Sequence, residues 1–155
     1  MTTIVRDALA SEAPALSDLA MRSKAHWGYD DPFLVACREE LTVTSGMIEA
    51  GEVRVAERDG TPQGLHRLSV SDTEACVELL YVDPAAIGSG VGRRLWDDLV
   101  GRAISAGARR LLIEADPHAE GFYVRIGAVR TGSCPSGSIP GRMLPLLELN
   151  LGATP

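Results

Sequence analysis

The chain has 155 residues, 45% of them hydrophobic and 23% charged, with a formal net charge of -6. That length suits one domain with a proper core, and the acidic balance argues against a general nucleic-acid binder, which would carry a basic face. No apolar run approaches the roughly 20 residues of a membrane helix, and Met1 to Asp7 lack the pattern of a secretory leader, so a cytoplasmic location is expected.

The chain opens with a short strand, Thr3 to Arg6. Ser11 is placed as an N-cap with Pro14 in the following first turn. Leu16, Leu19, Ala20 and Ser23 then recur at helical spacing. A polar-aromatic segment, His26-Trp27-Gly28-Tyr29, separates this helix from a second, which Asp31-Pro32 starts and which runs to about Leu41. From Val53 the period changes to two. Strands are predicted at Val53 to Glu57, Gly64 to Ser71 and Cys76 to Val82, with a turn at Asp59-Gly60; together they form an antiparallel meander.

Asp83-Pro84 ends the third of these strands, and Gly88-Ser89-Gly90-Val91-Gly92 follows. Next comes a helix with Leu95, Trp96, Leu99, Val100, Ala103 and Ile104 on one stripe, closed by Gly107. Arg110 to Ala115 reads as a buried strand. Asp116-Pro117 caps a helix whose stripe is Ala119, Phe122, Tyr123 and Ile126, and Gly127 ends it. A strand near Val129, a loop from Ser136 to Arg142 and a strand from Leu144 to Leu151 complete the order β-αα-βββ-α-β-α-β-β. This is a mixed α/β domain, expected to span residues 3–151.

The three cysteines, Cys37, Cys76 and Cys134, are odd in number and widely spaced. They read as small buried hydrophobes rather than as a disulfide framework. His26, His66 and His118 lie far apart, and no metal site is expected from them. Lys24 is the only lysine and reads as a bias of composition.

The strand–glycine loop–helix unit carries the chemistry. Glycines let the backbone approach a ligand closely, and the first amides of a helix lack internal acceptors and favour an anion. A pyrophosphate suits such a cradle, with Arg93 and Arg94 in the first turn to add charge-assisted contacts. The dinucleotide pattern fails because position 93 is Arg, and no Gly-Lys-Ser/Thr follows to make a nucleoside-triphosphate loop.

The run from Leu80 to Leu95 resembles the acetyl-CoA motif of the GNAT acetyltransferases, Arg/Gln-x-x-Gly-x-Gly/Ala. Gly90 and Gly92 match it, and Ile87 stands where Arg or Gln is usual. Ala119-x-x-Phe122-Tyr123-x-x-x-Gly127-Ala128 resembles the family's second half, with His118 in place of a frequent Asn and Ala128 in place of Phe. The resemblance implies a mixed, mostly antiparallel sheet of about seven strands flanked by about four helices. It implies acetyl-CoA as cosubstrate, with pantetheine bonding the backbone of Leu80, Tyr81 and Val82. Ile87, Gly88, Ser89, Gly90, Val91, Gly92 and Arg93 would hold the pyrophosphate, and His118 would also contact the cofactor. It implies direct acetyl transfer to the amine of a small molecule or peptide. Tyr123 matches the tyrosine that faces the thioester sulfur and is the candidate acid, and Glu78 is the candidate base, acting directly or through water.

Read without the resemblance, Tyr123 is a core aromatic and Glu78 a solvated strand residue. His26, Trp27 and Tyr29 are candidates for the acceptor pocket, and Arg142 for pairing with an acceptor carboxylate or phosphate. Cys76 as an acyl-accepting nucleophile is a weaker option. The acidic net charge favours cationic acceptors by steering, and a homodimer is compatible with the sequence. Two other readings stand beside the N-acetyltransferase: a non-catalytic acyl-CoA-sensing module, and an O-acyl or longer-chain acyltransferase.

Overall fold

The computed structural model describes residues 2–152. Seven strands form one sheet: β1 (Ile4–Asp7), β2 (Val53–Arg58), β3 (Thr61–Ser71), β4 (Glu74–Val82), β5 (Arg110–Glu114), β6 (Val129–Pro135) and β7 (Met143–Asn150). Their spatial order is β1-β2-β3-β4-β5-β7-β6. Every neighbouring pair is antiparallel except β4 with β5. A parallel pair needs a crossover, which hairpins cannot supply. Here the crossover is the helix α4 (Val91–Ser105).

Two helices lie between β1 and β2: α1 (Ala13–Ala25) and α2 (Asp31–Leu41). A short helical turn, α3 (Ser45–Glu49), follows them and had no apolar period long enough to predict it. The last helix, α5 (Glu120–Arg125), lies between β5 and β6.

Local chemistry sets several boundaries differently from the sequence expectation. Ser11 sits inside a 3-10 turn, Ala10–Glu12, and Glu12 is the N-cap of α1. The Glu12 carboxylate instead accepts the Leu9 amide at 2.8 Å and two bonds from Arg6. Asp30, not Asp31, caps α2, its Oδ1 accepting the Phe33 amide at 3.0 Å, while Asp31 and Pro32 fill the first turn. Asp116 does not cap α5; it accepts the His118 amide in a turn, and α5 starts only at Glu120.

The core lies on both faces of the sheet. Leu16, Leu19 and Ala20 of α1 and Cys37 and Leu41 of α2 pack against Val53, Val55, Leu65 and Leu79. On the other face, Trp96, Leu99 and Ala103 of α4 and Tyr123 of α5 pack against Ala75, Leu111, Ile113 and Leu147. Ile104 falls off the predicted stripe and is 52% exposed. All three cysteines are free, Cys37 buried and the other two half-buried.

No helix among the described residues is long and apolar enough to cross a membrane.

Candidate active site

The site begins where β4 and β5 part. Their pairing runs from Glu74↔Arg110 to Val77↔Ile113 and stops there. Beyond that point β4 keeps its bonds to β3, up to the Asp83 amide on the Gln63 carbonyl at 2.8 Å. β5 keeps its bonds to β7, and the Ala115 amide reaches the Pro145 carbonyl at 3.0 Å. Each strand follows its outer neighbour, and a gap opens between them. A bulge marks the same place. Arg67 pairs with Leu79 and Leu68 with Val77, so Glu78 is the extra residue, without a partner on β3. The bulge breaks the strict alternation expected between Glu78, Leu80 and Val82: Val77 and Leu80 both pack on the α4 side.

A cavity of about 560 Å³ fills this gap. Leu80, Tyr81 and Val82 form one wall, Ile113 to Asp116 the other, and α5 contributes Phe122 and Tyr123. One rim is the glycine turn. Gly88 and Gly90 have φ of 81° and 91°, and a Cβ on either would meet nothing within 4 Å. The space beside the backbone is therefore open to a ligand, and the positive φ there needs glycine. Gly90 is the N-cap of α4 and supplies no side-chain cap. The amides of Val91, Gly92 and Arg93 thus present the positive end of a 15-residue helix. Arg93, whose Nε donates to Asp97 at 3.1 Å, and Arg125 also line the cavity. These features fit the diphosphate of a coenzyme A molecule: an uncapped helix start, a backbone free of Cβ atoms, and two guanidinium groups.

Of the predicted residues, the cavity wall gathers Tyr123, Glu78, Leu80, Tyr81, Val82, Ile87, Gly88, Gly90, Gly92, Arg93, His118 and Trp27. Ser89 turns away: its Oγ bonds the Ala86 carbonyl and its own carbonyl accepts from Arg58 at 2.8 Å. The Val91 side chain is fully buried with Ala56, Ala86 and Leu95, which leaves only its backbone for a ligand. His26 is exposed and touches Trp27 edge-on at 5.0 Å. Tyr29 and Arg142 join the wall indirectly, through Asp116.

Tyr123 is 6% exposed, with its ring edge-on to Trp96 at 5.6 Å and to Phe122 at 5.4 Å. Burial, and then the charge of Asp116, push its phenol well above the ordinary range, so it holds its proton at neutral pH. Glu78 is exposed, and its Oε1 accepts the Ser69 hydroxyl at 2.6 Å. Glu114, the next residue on β5 after the last strand pair, also faces the cavity. Cys76 lies among carboxylates. Burial, then Glu78, Glu74 and Glu114, push its thiol up, which disfavours the thiolate a nucleophile needs.

Sequence reading missed Lys24, Glu114, Asp116 and Arg125. Lys24 and Asp116 form a 2.6 Å ion pair with side chains only 10% and 11% exposed. Burial raises the Asp116 pKa, but Lys24, the His118 amide and Tyr29 outweigh it and leave the carboxyl below its usual value. A signal existed for Lys24: it continues the i, i+4 row Leu16, Ala20 and so falls on the buried face of α1. Trp27 stacks on His118 at 5.0 Å with the rings nearly parallel.

Residues 33–135 match the family model described as an acetyltransferase (GNAT) domain. No curated protein matches the chain by sequence. Among solved structures, the chain is similar to a GCN5-related N-acetyltransferase from Rhodopseudomonas palustris, with a TM-score of 0.79, 22% identity, and coverage of 97% of this chain and 96% of that one. It is similar to the PaiA N-acetyltransferase from Thermoplasma acidophilum in complex with coenzyme A, with a TM-score of 0.79, 16% identity, and coverage of 97% and 99%. It is also similar to YncA from Salmonella typhimurium with its cofactor acetyl-CoA, with a TM-score of 0.71, 20% identity, and coverage of 97% and 95%.

Proposed function

The chain belongs to the acetyltransferase (GNAT) domain family, and from that premise we propose that it moves an acetyl group from acetyl-CoA directly to a primary amine of a small molecule or peptide. The observation that carries the reading is the gap between β4 and β5, which ends at an uncapped glycine turn on one side and at Tyr123 on the other.

Acetyl-CoA supplies the activated thioester. The amides at the start of α4, with Arg93 and Arg125, bind its diphosphate. The backbone of Leu80 to Val82, freed from β5 at this point, offers bonding groups to its pantetheine arm. The apolar wall of Leu80, Val82 and Phe122 excludes water from the reacting carbon. Glu78, at the bulge, takes the proton of the attacking amine directly or through water. Tyr123 donates its hydroxyl proton toward the departing sulfur. Its raised pKa against a thiol value near 8.5 makes complete transfer uphill, so its main contribution is a hydrogen bond to the developing thiolate.

The test is calorimetric titration with acetyl-CoA followed by a thiol-release screen of amine acceptors. Saturable one-site binding is expected. With any accepted amine, Tyr123→Phe should lower kcat by about 100-fold and leave acetyl-CoA affinity within about twofold, because the hydroxyl acts on the leaving sulfur. Full turnover in the variant would remove Tyr123 from this role. Saturable binding with no thiol release from any amine would favour a sensing module instead.

A further inference from the structure

The cavity meets a cluster of charges on the α1/α2 face of the sheet, opposite the face covered by α4. Lys24 lies in the last turn of α1, Tyr29 lies between α1 and α2, and Arg142 ends the loop before β7. That loop folds back over α2: Ile139 packs with the α1/α2 core, and the Arg142 guanidinium lies 4.8 Å from the Phe33 ring and 5.2 Å from the Tyr29 ring. Arg142 Nη2 donates to the Tyr29 hydroxyl at 2.7 Å. The Tyr29 hydroxyl donates to Asp116 at 2.9 Å, and Lys24 Nζ reaches the same oxygen at 2.6 Å.

The cluster leaves cationic donors unused. Lys24 and Arg142 both meet the carboxylate of Asp116. Arg142 is 3.8 Å from it. Tyr29 stays neutral, since burial and then Asp116 push its phenol up to about 12. Glu40 on α2 is exposed, and its carboxylate lies against Gly137 of the loop that carries Arg142, where it acts on Cys37 together with Lys24 and Arg142. Lys24 is 8% exposed, lines the cavity, and uses one of its three N–H groups on the protein. Arg142 uses one of five within hydrogen-bond distance. A buried ammonium with donors left over, such as Lys24, gains from a further acceptor; Arg142 is only half-buried. A carboxylate entering from the cavity would take the unused donors of Lys24, and Arg142, outside the wall itself but 3.8 Å from Asp116 on it, would add its charge. A phosphate dianion would add a second negative charge beside Asp116.

We propose that Lys24 and Arg142 hold a carboxylate of the acceptor, which makes the acceptor a small amine that also carries a carboxylate, of the amino-acid type. This rests on the acetyltransferase reading above. It sets the local charge of the site against the net charge of -6, which by steering alone would favour cationic acceptors. Trp27, 41% exposed and stacked on His118, is the wall such an acceptor's side chain meets.

The probes are N-acetylglycine and N-acetylglycinamide, product-like molecules that differ in carboxylate against neutral amide. Each is titrated by calorimetry into protein already shown to bind CoA. The acid should bind at least about tenfold tighter than the amide, the value of one charge-assisted contact. That ratio should fall toward one in Arg142→Gln and in Lys24→Met. Arg142→Gln, a loop variant, keeps the test if Lys24→Met does not fold. Equal binding of the two probes, binding of neither, or a ratio unchanged in Arg142→Gln overturns the proposal while CoA binding leaves the acetyltransferase reading intact. Protein that does not bind CoA overturns both.

Discussion

His66 is fully buried on β3, with Nε2 2.8 Å from Asp98 Oδ2 on α4. Arg54 bonds both oxygens of Asp98 at 3.2 Å. Burial depresses the imidazole pKa, and Arg102 and Arg54 add to this, against the opposite pull of Asp98. The ring is therefore neutral in the fold, donates to Asp98 through Nε2, and leaves Nδ1 as an acceptor without a partner. A depressed pKa means that the folded state binds its proton less readily than the unfolded chain, whose value is about 6.5. Its contribution to stability is complete above that pH and is lost as pH falls through it toward the folded value. Asp98, raised by burial but pulled down to about 2 by His66 and Arg54, loses its contribution only in stronger acid. The two groups titrate in separate windows. We expect Tm to fall between pH 7 and pH 5, and His66→Gln, which keeps a donor to Asp98 but cannot be protonated, to flatten that part of the profile. Thermal unfolding at pH 5, 6 and 7 checks this; an identical slope in the variant would assign the effect elsewhere.

At the scale of elements, α4 is seated by a missing side chain. Gly64 on β3 pairs with Val82. A Cβ there would lie 2.8 Å from Leu95 Cδ1, 2.8 Å from the Tyr81 carbonyl oxygen and 3.2 Å from Val91 Cγ1. The carbonyl belongs to the sheet and cannot yield, so α4 must lift. Gly64→Ala should cost about 1–3 kcal/mol, as overpacking does, and should displace the first turn of α4, the proposed diphosphate site. A lower Tm together with weaker acetyl-CoA binding is expected by calorimetry. Unchanged values for both would mean that the helix shifts without consequence. The same element logic explains the gap. Beyond Val77, β4 follows β3 as far as Asp83, while β5 turns with β7 into Asp116.

At the scale of the molecule, the two faces of the sheet have separate apolar clusters, one under α1 and α2 and one under α4 and α5. The cavity wall draws on both, from Ser23 and Lys24 on one side to Phe122 and Tyr123 on the other. A ligand in the gap therefore bridges what the parted strands leave unbonded. Acetyl-CoA at 100 times its Kd should add about 2.7 kcal/mol and raise Tm by about 5–10 °C. ATP and NADH at the same concentration should shift it by no more than about 1 °C. Equal shifts from all three would show general polyanion binding rather than a coenzyme A site.

Much of this molecule is legible in the order of its residues. Strand alternation from Val53 to Val82, the stripe of α4 and the turn at Asp59-Gly60 are local signals, because burial on one face of a strand or helix repeats with the period of that element. The glycine turn was legible too, since positive φ at Gly88 and Gly90 selects the residue type directly. The parting of β4 and β5, the bulge at Glu78 and the meeting of Lys24, Tyr29, Asp116 and Arg142 were not. Those four residues are separated by up to 118 positions of chain, and no period links them. Asp116-Pro117 looked like a helix cap because a carboxylate before proline usually finds a nearby amide. Here one oxygen does accept the amide of His118, while both also face the Tyr29 hydroxyl. Sequence by itself determined most of the elements, their order and the glycine turn, all of which depend on neighbours within a few residues. Only the tertiary structure decided where the sheet opens and which charges stand in the opening, because those follow from which strand each edge keeps as its partner.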